Sequence, residues 1–419
     1  MWGNLFKLPP KKKIILITVG RLPTNENVSD EFFISGKLRE EFFHRGGSWT
    51  FPISQNMVKH TDAYDIECWN VYSPRNYGDM GIYRKEENGV TFIQFPATSI
   101  AGKLISLPLF RELRRRVRSK EEIIVHTQGL HSWPNYILAF MCRNVPLVTQ
   151  QRAPSFPPMI KNVERKNAVY RFLQPIDDWC LRYYDFIFVP SLGEYGYLQE
   201  RIGSENIHLQ KGQGFPFSEF EPGKKEDVRR ELGLPLDKKI MVHLGRFNER
   251  KGLPVILETF KTLRENGMNV DLLLVGGKKN QPLYEEAKAS GAILTGHIPK
   301  KDVIRYLNAS DVYLVPTEDK VWIPFGDIDN GAIEALAMNV PVVGPTLIHF
   351  PGSPDERKEL GRITTSREEV LKAVREILTD KDGFQHTRKT IQNYYSWDRI
   401  ISRFEMVYER LSGKYYGNS

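Results

Sequence analysis

The chain has 419 residues, 41% hydrophobic and 26% charged, which fits a globular protein of two or three domains and excludes a fibre, a coiled coil or a disordered tail. Its three cysteines, Cys68, Cys142 and Cys180, lie far apart. They offer neither a disulfide framework nor a cysteine zinc site and read as small buried apolar residues. Net charge is +8, and it is uneven: residues 1–215 hold 28 Lys and Arg against 21 Asp and Glu. The excess peaks in the run Arg111-Glu-Leu-Arg114-Arg115-Arg116-Val-Arg118-Ser-Lys120. Such a run is either a solvated helix face or an attraction for anionic lipid headgroups or an anionic acceptor. Nucleic acid is not expected, because zinc-finger spacing and aromatic-basic RNA motifs are lacking.

In chain order, Lys11, Lys12 and Lys13 lead into Ile14-Ile15-Leu16-Ile17. That stretch is too short for a signal peptide and reads as a first strand over 14–19. No apolar run reaches the length of a spanning helix, so cytoplasmic residence is expected, with association at the cytoplasmic face of a membrane left open. A helix is expected over 30–45, strands over 66–72 and 91–95, a helix over 104–117, and a strand over 123–126. A helix over 133–142 and strands over 146–149 and 186–189 follow. The stretch 49–84 is otherwise hard to read. Residues 212–223 are rich in Gly and Pro and read as a linker. The rhythm then restarts, with strands at 239–244, 271–275, 293–294, 311–315 and 341–343. Helices are expected at 253–265, 283–289, 303–307 and 332–337. Alternation of this kind implies α/β architecture with a mostly parallel sheet in each half, and ligands in a cleft between two such halves.

Three constellations carry chemistry. In His243-Leu-Gly245-Arg246-Phe-Asn-Glu-Arg-Lys251-Gly252, a glycine lets the chain turn at a strand's end. Arg246 and Lys251 there can clamp a diphosphate and stabilise its departing charge. In Asp327-Ile-Asp329-Asn330-Gly331-Ala332-Ile333-Glu334, the helix start favours a phosphate. Glu334, one turn in, can accept hydrogen bonds from ribose hydroxyls. Gly276-Gly277 and Gly296-His297 follow strands and allow close approach of a base or sugar.

The order and spacing of Gly245-Arg246, Lys251-Gly252, Gly276-Gly277, Gly296, Ala309-Ser310-Asp311-Val312, Glu334-Ala335-Leu336-Ala337 and Pro341-Val342-Val343 resemble the nucleotide-sugar domain of GT-B glycosyltransferases, most closely the large retaining family 4. The linker at 211–222 and Tyr395-Ser396-Trp397-Asp398, before a last helix over 400–411, resemble that family too. The resemblance is strong over 245–343 and weak before residue 210. It implies two Rossmann-like domains facing each other across a cleft, 1–213 binding the acceptor and 214–395 the nucleotide sugar. A C-terminal helical segment, 396–419, would cross back to the first domain. The implied activity is that of a hexosyltransferase, moving a sugar from a nucleoside-diphosphate sugar to a hydroxyl of a glycan, a lipid-linked acceptor or a small molecule. Retention of configuration is implied, with no metal or cofactor. Arg246, Lys251 and Glu334 would be catalytic. Gly20, Gly245, Gly276, Gly277, Gly296, His297, Asp327, Asp329, Asn330, Gly331, Ala332 and Ile333 would bind the donor. His126, Gln150, Gln151 and Arg152 would face the acceptor.

The chain departs from the family at three places. The acid expected eight residues before Glu334 is Gly326, with Asp327 and Asp329 as nearby substitutes. The glycine pair expected at the first helix falls on Ser29 and Asp30, leaving Gly20 as the glycine after the first strand. A histidine often found after the strand ending at Thr149 is replaced by Gln150-Gln151-Arg152, which cannot act as a base at neutral pH. The resemblance implies front-face attack, with the leaving phosphate taking the acceptor's proton, so no protein base is demanded. Asp327-Ile-Asp329 is formally a manganese motif, but in the wrong context, and His126 with His131 makes a poor metal site. The rivals are a nucleotide-sugar epimerase of the same fold and a non-catalytic carbohydrate- or membrane-binding relative.

Overall fold

The computed structural model describes residues 11–18, 50–74, 81–100, 103–119, 121–152, 156, 167–380, 384 and 386–417. The chain forms two compact units: Met1–Val189, Tyr195–Gln213 and Ile400–Ser419 make the first, Pro190–Glu194 and Gly214–Arg399 the second. Both are α/β, as the sequence pattern predicts.

The first unit runs β1 (Lys12–Thr18), α1 (Thr50–His60), β2 (Tyr64–Tyr72), β3 (Tyr83–Glu87), β4 (Val90–Pro96), β5 (Thr98–Ile100), β6 (Lys103–Ile105), α2 (Leu107–Arg118), β7 (Ile123–Gln128), α3 (Trp133–Met141), β8 (Leu147–Gln150), α4 (Asn167–Leu181), β9 (Phe186–Val189), α5 (Leu192–Ile202) and β10 (Ile207–Leu209). Its main sheet has the order β10-β9-β8-β7-β1-β2-β4-β3. All neighbours are parallel except the edge pair β3 and β4. Ile14, Leu16, Ile15 and Ile17 of β1 are all fully buried, as expected of a central parallel strand covered on both faces.

The second unit runs α6 (Lys225–Leu232), β11 (Lys239–Gly245), α7 (Leu253–Glu265), β12 (Val270–Gly276), α8 (Tyr284–Ala289), β13 (Ile293–Gly296), α9 (Lys300–Asn308), β14 (Val312–Leu314), α10 (Trp322–Phe325), α11 (Asn330–Ala337), β15 (Val342–Val343), α12 (Pro354–Leu360), β16 (Gly361–Arg362), α13 (Arg367–Thr379) and α14 (Thr387–Tyr395). Its six strands are parallel in the order β13-β12-β11-β14-β15-β16. The last helix, α15 (Trp397–Tyr416), belongs to the first unit from Ile400 onward.

Several expectations change. The helix expected over 104–117 begins only at Leu107, because β6 precedes it. Ser106 marks the boundary: its hydroxyl accepts the Leu109 N–H at 3.2 Å, and Pro108 sits in the first turn. The unread stretch 49–84 holds α1, whose apolar residues follow no clean helical stripe. The helix expected over 30–45, with Gly20, Ser29 and Asp30, lies outside the described residues.

A buried ionic cluster fixes α2 to the sheet. The Arg116 guanidinium meets Glu67 at 2.8 Å, Glu112 at 3.2 Å and Glu121 at 2.5 Å. Lys13 and the Trp69 indole N–H complete the Glu67 carboxylate. With so many partners the charges are satisfied, and α2 cannot roll about its axis without breaking them.

His126 is not at an acceptor-facing surface, as expected from the sequence, but in the core. It is fully buried on β7, its Nδ1 lies 2.6 Å from the Tyr408 hydroxyl, and its ring meets Phe404 edge-on at 5.0 Å. It therefore anchors α15. Burial pushes its pKa down to about 3 and that of His243, also fully buried, down to about 4. Both are neutral when folded and protonate readily only when unfolded. Below the ordinary histidine value near 6.5 the unfolded state binds more protons, so stability falls as pH drops toward the folded values. The midpoint of urea unfolding should thus decline steadily from about pH 6.5 to pH 4, and His126→Asn with His243→Asn should flatten that slope; an equal slope in the double variant would contradict the burial of the two rings.

Candidate nucleotide-sugar site

The second unit brings glycines together at the carboxyl ends of its strands. Gly245 pairs in register with Gly276, and Gly296 lies opposite both Val275 and Gly276 at an irregularity of the β12–β13 ladder. The Gly277 N–H donates to the Gly245 carbonyl at 3.0 Å. Gly276 has φ +102°, and a Cβ there would lie 2.8 Å from the Gly245 oxygen. Only glycine lets these strand ends close up, and the Phe247 ring packs over Gly277 in the same way, 2.5 Å from where a Cβ would be.

After Gly245 the chain makes a short loop and a single 3-10 turn, Glu249–Lys251. Asn248 caps that turn, its Oδ1 accepting the Lys251 N–H at 3.0 Å. Gly252 follows at φ +74°, where a Cβ would sit 2.3 Å from the Pro316 carbonyl oxygen. The close approach presses the loop against the chain just after β14 and fixes where Lys251 emerges.

Lys251 meets the start of α11 through Asp329. Its Nζ lies 2.5 Å from Asp329 Oδ2. Asp329 Oδ1 accepts the Tyr313 hydroxyl and the Gly331 N–H, each at 2.9 Å, and the Asp329 N–H donates to Thr346 Oγ1 at 2.7 Å. Asp329 is thus the N-cap of α11. The helix tip expected to receive a phosphate already holds a carboxylate, which a short acidic side chain in this position supplies by itself. Burial first, then the Asp329 carboxylate, pushes the Tyr313 phenol well above its usual range, so it stays a donor.

His243, to which sequence reasoning gave no role, stacks 6.4 Å from Tyr313 at 13°. Its Nδ1 lies 2.8 Å from the Leu314 carbonyl, so the proton resides there and Nε2 is an acceptor. A Cβ on Gly245 would be 3.9 Å from both His243 Nε2 and Lys251 Cε, which places the imidazole beneath the same backbone surface.

The other expected donor residues are spread around this centre. Ala332, Ile333 and Gly331 are buried in the first turn of α11, Asn330 is exposed beside them, and Asp327 is buried. Glu334 forms an ion pair with Lys300 of α9. His297 is exposed. Arg246, one residue beyond β11, is exposed, and no partner among the described residues draws it into the Lys251 cluster.

In the first unit, Gln151 Oε1 accepts the Leu130 N–H at 3.0 Å. Gln150 is fully buried and faces Gly212, where a Cβ would come within 2.9 Å of its amide nitrogen. Burial lowers the Arg152 pKa to about 10, which leaves it a cation. A cluster that sequence reasoning missed lies on the same unit: His131 Nδ1 is 2.8 Å from Asp177 Oδ2, and the Tyr136 hydroxyl donates to Asp177 Oδ1 at 2.9 Å. His131 has φ +51°, uncommon for a residue with a side chain. Nothing in the sequence signals that conformation or pairs residues 131 and 177.

Asp329→Ala should remove both the cap and the Lys251 partner and cost about 1–2 kcal/mol in urea unfolding. Asp329→Asn keeps a cap acceptor and should lose less; two variants as stable as the parent protein would contradict the assigned cap.

Residues 238–380 match the family model described as Glycosyl transferases group 1. Over 132 residues, 31% of each chain, the protein is 32% identical to the putative teichuronic acid biosynthesis glycosyltransferase TuaC of Bacillus subtilis. It is 23% identical to the lipopolysaccharide 1,2-N-acetylglucosaminetransferase of Salmonella typhimurium, over 52% of this chain and 60% of that one. The matches therefore span less than two thirds of these two relatives. Among solved structures, HepE of Anabaena in complex with UDP superposes with TM-score 0.64 at 12% identity, over 95% of this chain and all of that chain. Fold and motif order agree with this match: the chain has the GT-B fold, and its segment 238–380 matches the glycosyl transferases group 1.

Proposed function

We propose that the protein transfers a sugar, a hexose by class, from a nucleoside-diphosphate sugar to an acceptor hydroxyl. The observation that carries this reading is the convergence of Lys251, the glycine strand ends and the start of α11 on one side of the second unit's sheet. The group 1 match over the same segment supports it, as does the UDP that HepE holds on the same fold.

In this reading the diphosphate lies over Gly245 and Gly276, where backbone can approach it closely. Lys251 supplies one positive charge, and Asp329 holds that ammonium at the helix start. Arg246 is free to swing onto the diphosphate as the bond to the sugar breaks, adding charge where the leaving group gains it. Glu334, with Lys300 as its resting partner, exchanges that partner for ribose hydroxyls. The acceptor belongs to the first unit, near Arg152, since Gln150 and Gln151 beside it are buried like His126. No imidazole stands at that position, so the reading assigns the acceptor's proton to the departing phosphate and predicts retention without a metal ion. A lipid-linked or anionic acceptor at the cytoplasmic face of a membrane fits the basic first unit.

Incubation of the protein with a panel of UDP-, GDP- and ADP-sugars and glycan or lipid-linked acceptors tests the reading. Transfer should survive EDTA, and donor alone should return no epimer. Arg246→Ala with Lys251→Ala should lower the rate on the order of 100-fold or more while the chain stays folded; full activity in that variant would refute the assigned roles.

A further inference from the structure

We infer that Arg250 and Trp322, packed around Gly326, select a donor whose sugar carries a carboxylate, a hexose oxidised at its exocyclic carbon. The inference rests on the proposed transfer reaction and names the donor class of that same site.

The placement follows from the order of contacts along one segment. Glu334, one turn into α11, pairs with Lys300. Asp329, at the start of that helix, meets Lys251. Trp322 of α10 comes earlier still, and the Arg250 guanidinium lies over its ring, 4.6 Å from the centroid. Arg250 is the neighbour of Lys251 in the 3-10 turn. With ribose on Glu334 and the diphosphate at Lys251, the remaining end of an extended nucleotide sugar points to Arg250 and Trp322.

The groups waiting there are hydrogen-bond donors. An indole N–H only donates, and a guanidinium has five donors and no acceptor. Trp322 is partly buried, and its Nε1 makes no hydrogen bond to any of the described residues. Arg250 is exposed, and the carboxylate paired with it, Asp319, stands 3.7 Å from its Nε, beyond hydrogen-bond reach. Asp319 Oδ1 instead accepts the Val321 and Trp322 backbone N–H groups at 2.9 and 3.0 Å. The other acids of the segment are engaged within the protein too. Glu318 pairs with Arg367, Asp329 takes Lys251, Tyr313 and the Gly331 N–H, and Asp327 is buried.

Gly326 keeps any further side chain out. Its φ of −74° suits every residue type, but a Cβ would lie 2.5 Å from the Trp322 carbonyl oxygen and 2.8 Å from the indole nitrogen. The indole therefore demands glycine there, and no side-chain acceptor stands at residue 326 beside its N–H. A neutral sugar hydroxyl needs an acceptor as well as a donor. A carboxylate only accepts, so it satisfies the indole N–H and the guanidinium together, with charge assisting the second bond.

The test is calorimetric titration of the full chain with UDP, UDP-glucose, UDP-N-acetylglucosamine and UDP-glucuronate, and with GDP, GDP-mannose and GDP-mannuronate. For the base that binds, the uronate should bind on the order of tenfold tighter than the neutral sugar, as expected of one hydrogen bond to a charged group. Trp322→Phe keeps a ring for Arg250 and removes the indole N–H. That variant and Arg250→Gln should each lower uronate affinity about tenfold while diphosphate affinity stays within about twofold. Circular dichroism checks that both are folded. A neutral or acetamido sugar bound as tightly as the uronate would overturn the inference and leave the transfer reading standing. So would unchanged uronate affinity in both variants, or an equal loss for uronate and bare diphosphate, which marks a merely structural role. Failure of UDP and GDP alike to bind counts against the transfer reading itself, and the inference falls with it.

Discussion

The contact between Lys251 and Asp329 is the constraint on which the candidate site depends. An ammonium and a carboxylate at 2.5 Å join a loop after β11 to the first turn of α11, elements 78 residues apart in sequence. Asp329 also accepts from Tyr313 and from the helix backbone, so it cannot leave without exposing donors in a buried place. The positive end of α11 and the lysine are thereby held together, with Lys251 Cε 3.9 Å from where a Cβ on Gly245 would be. A pyrophosphate arriving there would meet groups already oriented, which is where electrostatic stabilisation is most effective.

A second ion pair lies on the same helix: Lys251 carries the Asp329 carboxylate, and Glu334 of α11 carries Lys300. The Asp329 carboxylate also blocks the simplest picture, in which a phosphate sits directly on a free helix end. A phosphate is instead expected beside the cap, drawn by Lys251 and Arg246 and by the neighbouring backbone.

How much of this the sequence shows depends on the range of the interaction. The alternating strands and helices of the second unit are legible because each strand is a short apolar run and each turn carries a glycine. Leu253–Glu265 and Phe186–Val189 match the expected bounds. The helix at Thr50–His60 escapes notice because Thr50 and Ser54, which share its buried stripe with Ile53 and Met57, are polar. Lys251 is legible as a cation after a strand-ending glycine. The cap by Asp329 is a local signal, Asp-Asn-Gly before an apolar helix, although the same residues equally fit a phosphate-binding helix start. The burial of His126 under Phe404 and Tyr408 joins residues nearly 300 positions apart, and nothing local announces it. The orientation of α2 also needs the sheet, since Glu67 decides which arginine is buried.

The candidate site requires that a nucleoside diphosphate be held at Lys251. Calorimetric titration of uridine, guanosine and adenosine diphosphates into the parental protein and the Lys251→Met variant measures this without any acceptor. At least one nucleotide should bind the parental chain, and the variant should lose tenfold or more in affinity, about 1.4 kcal/mol or greater. Failure of all three to bind the folded protein, or equal affinity in the variant, would contradict it.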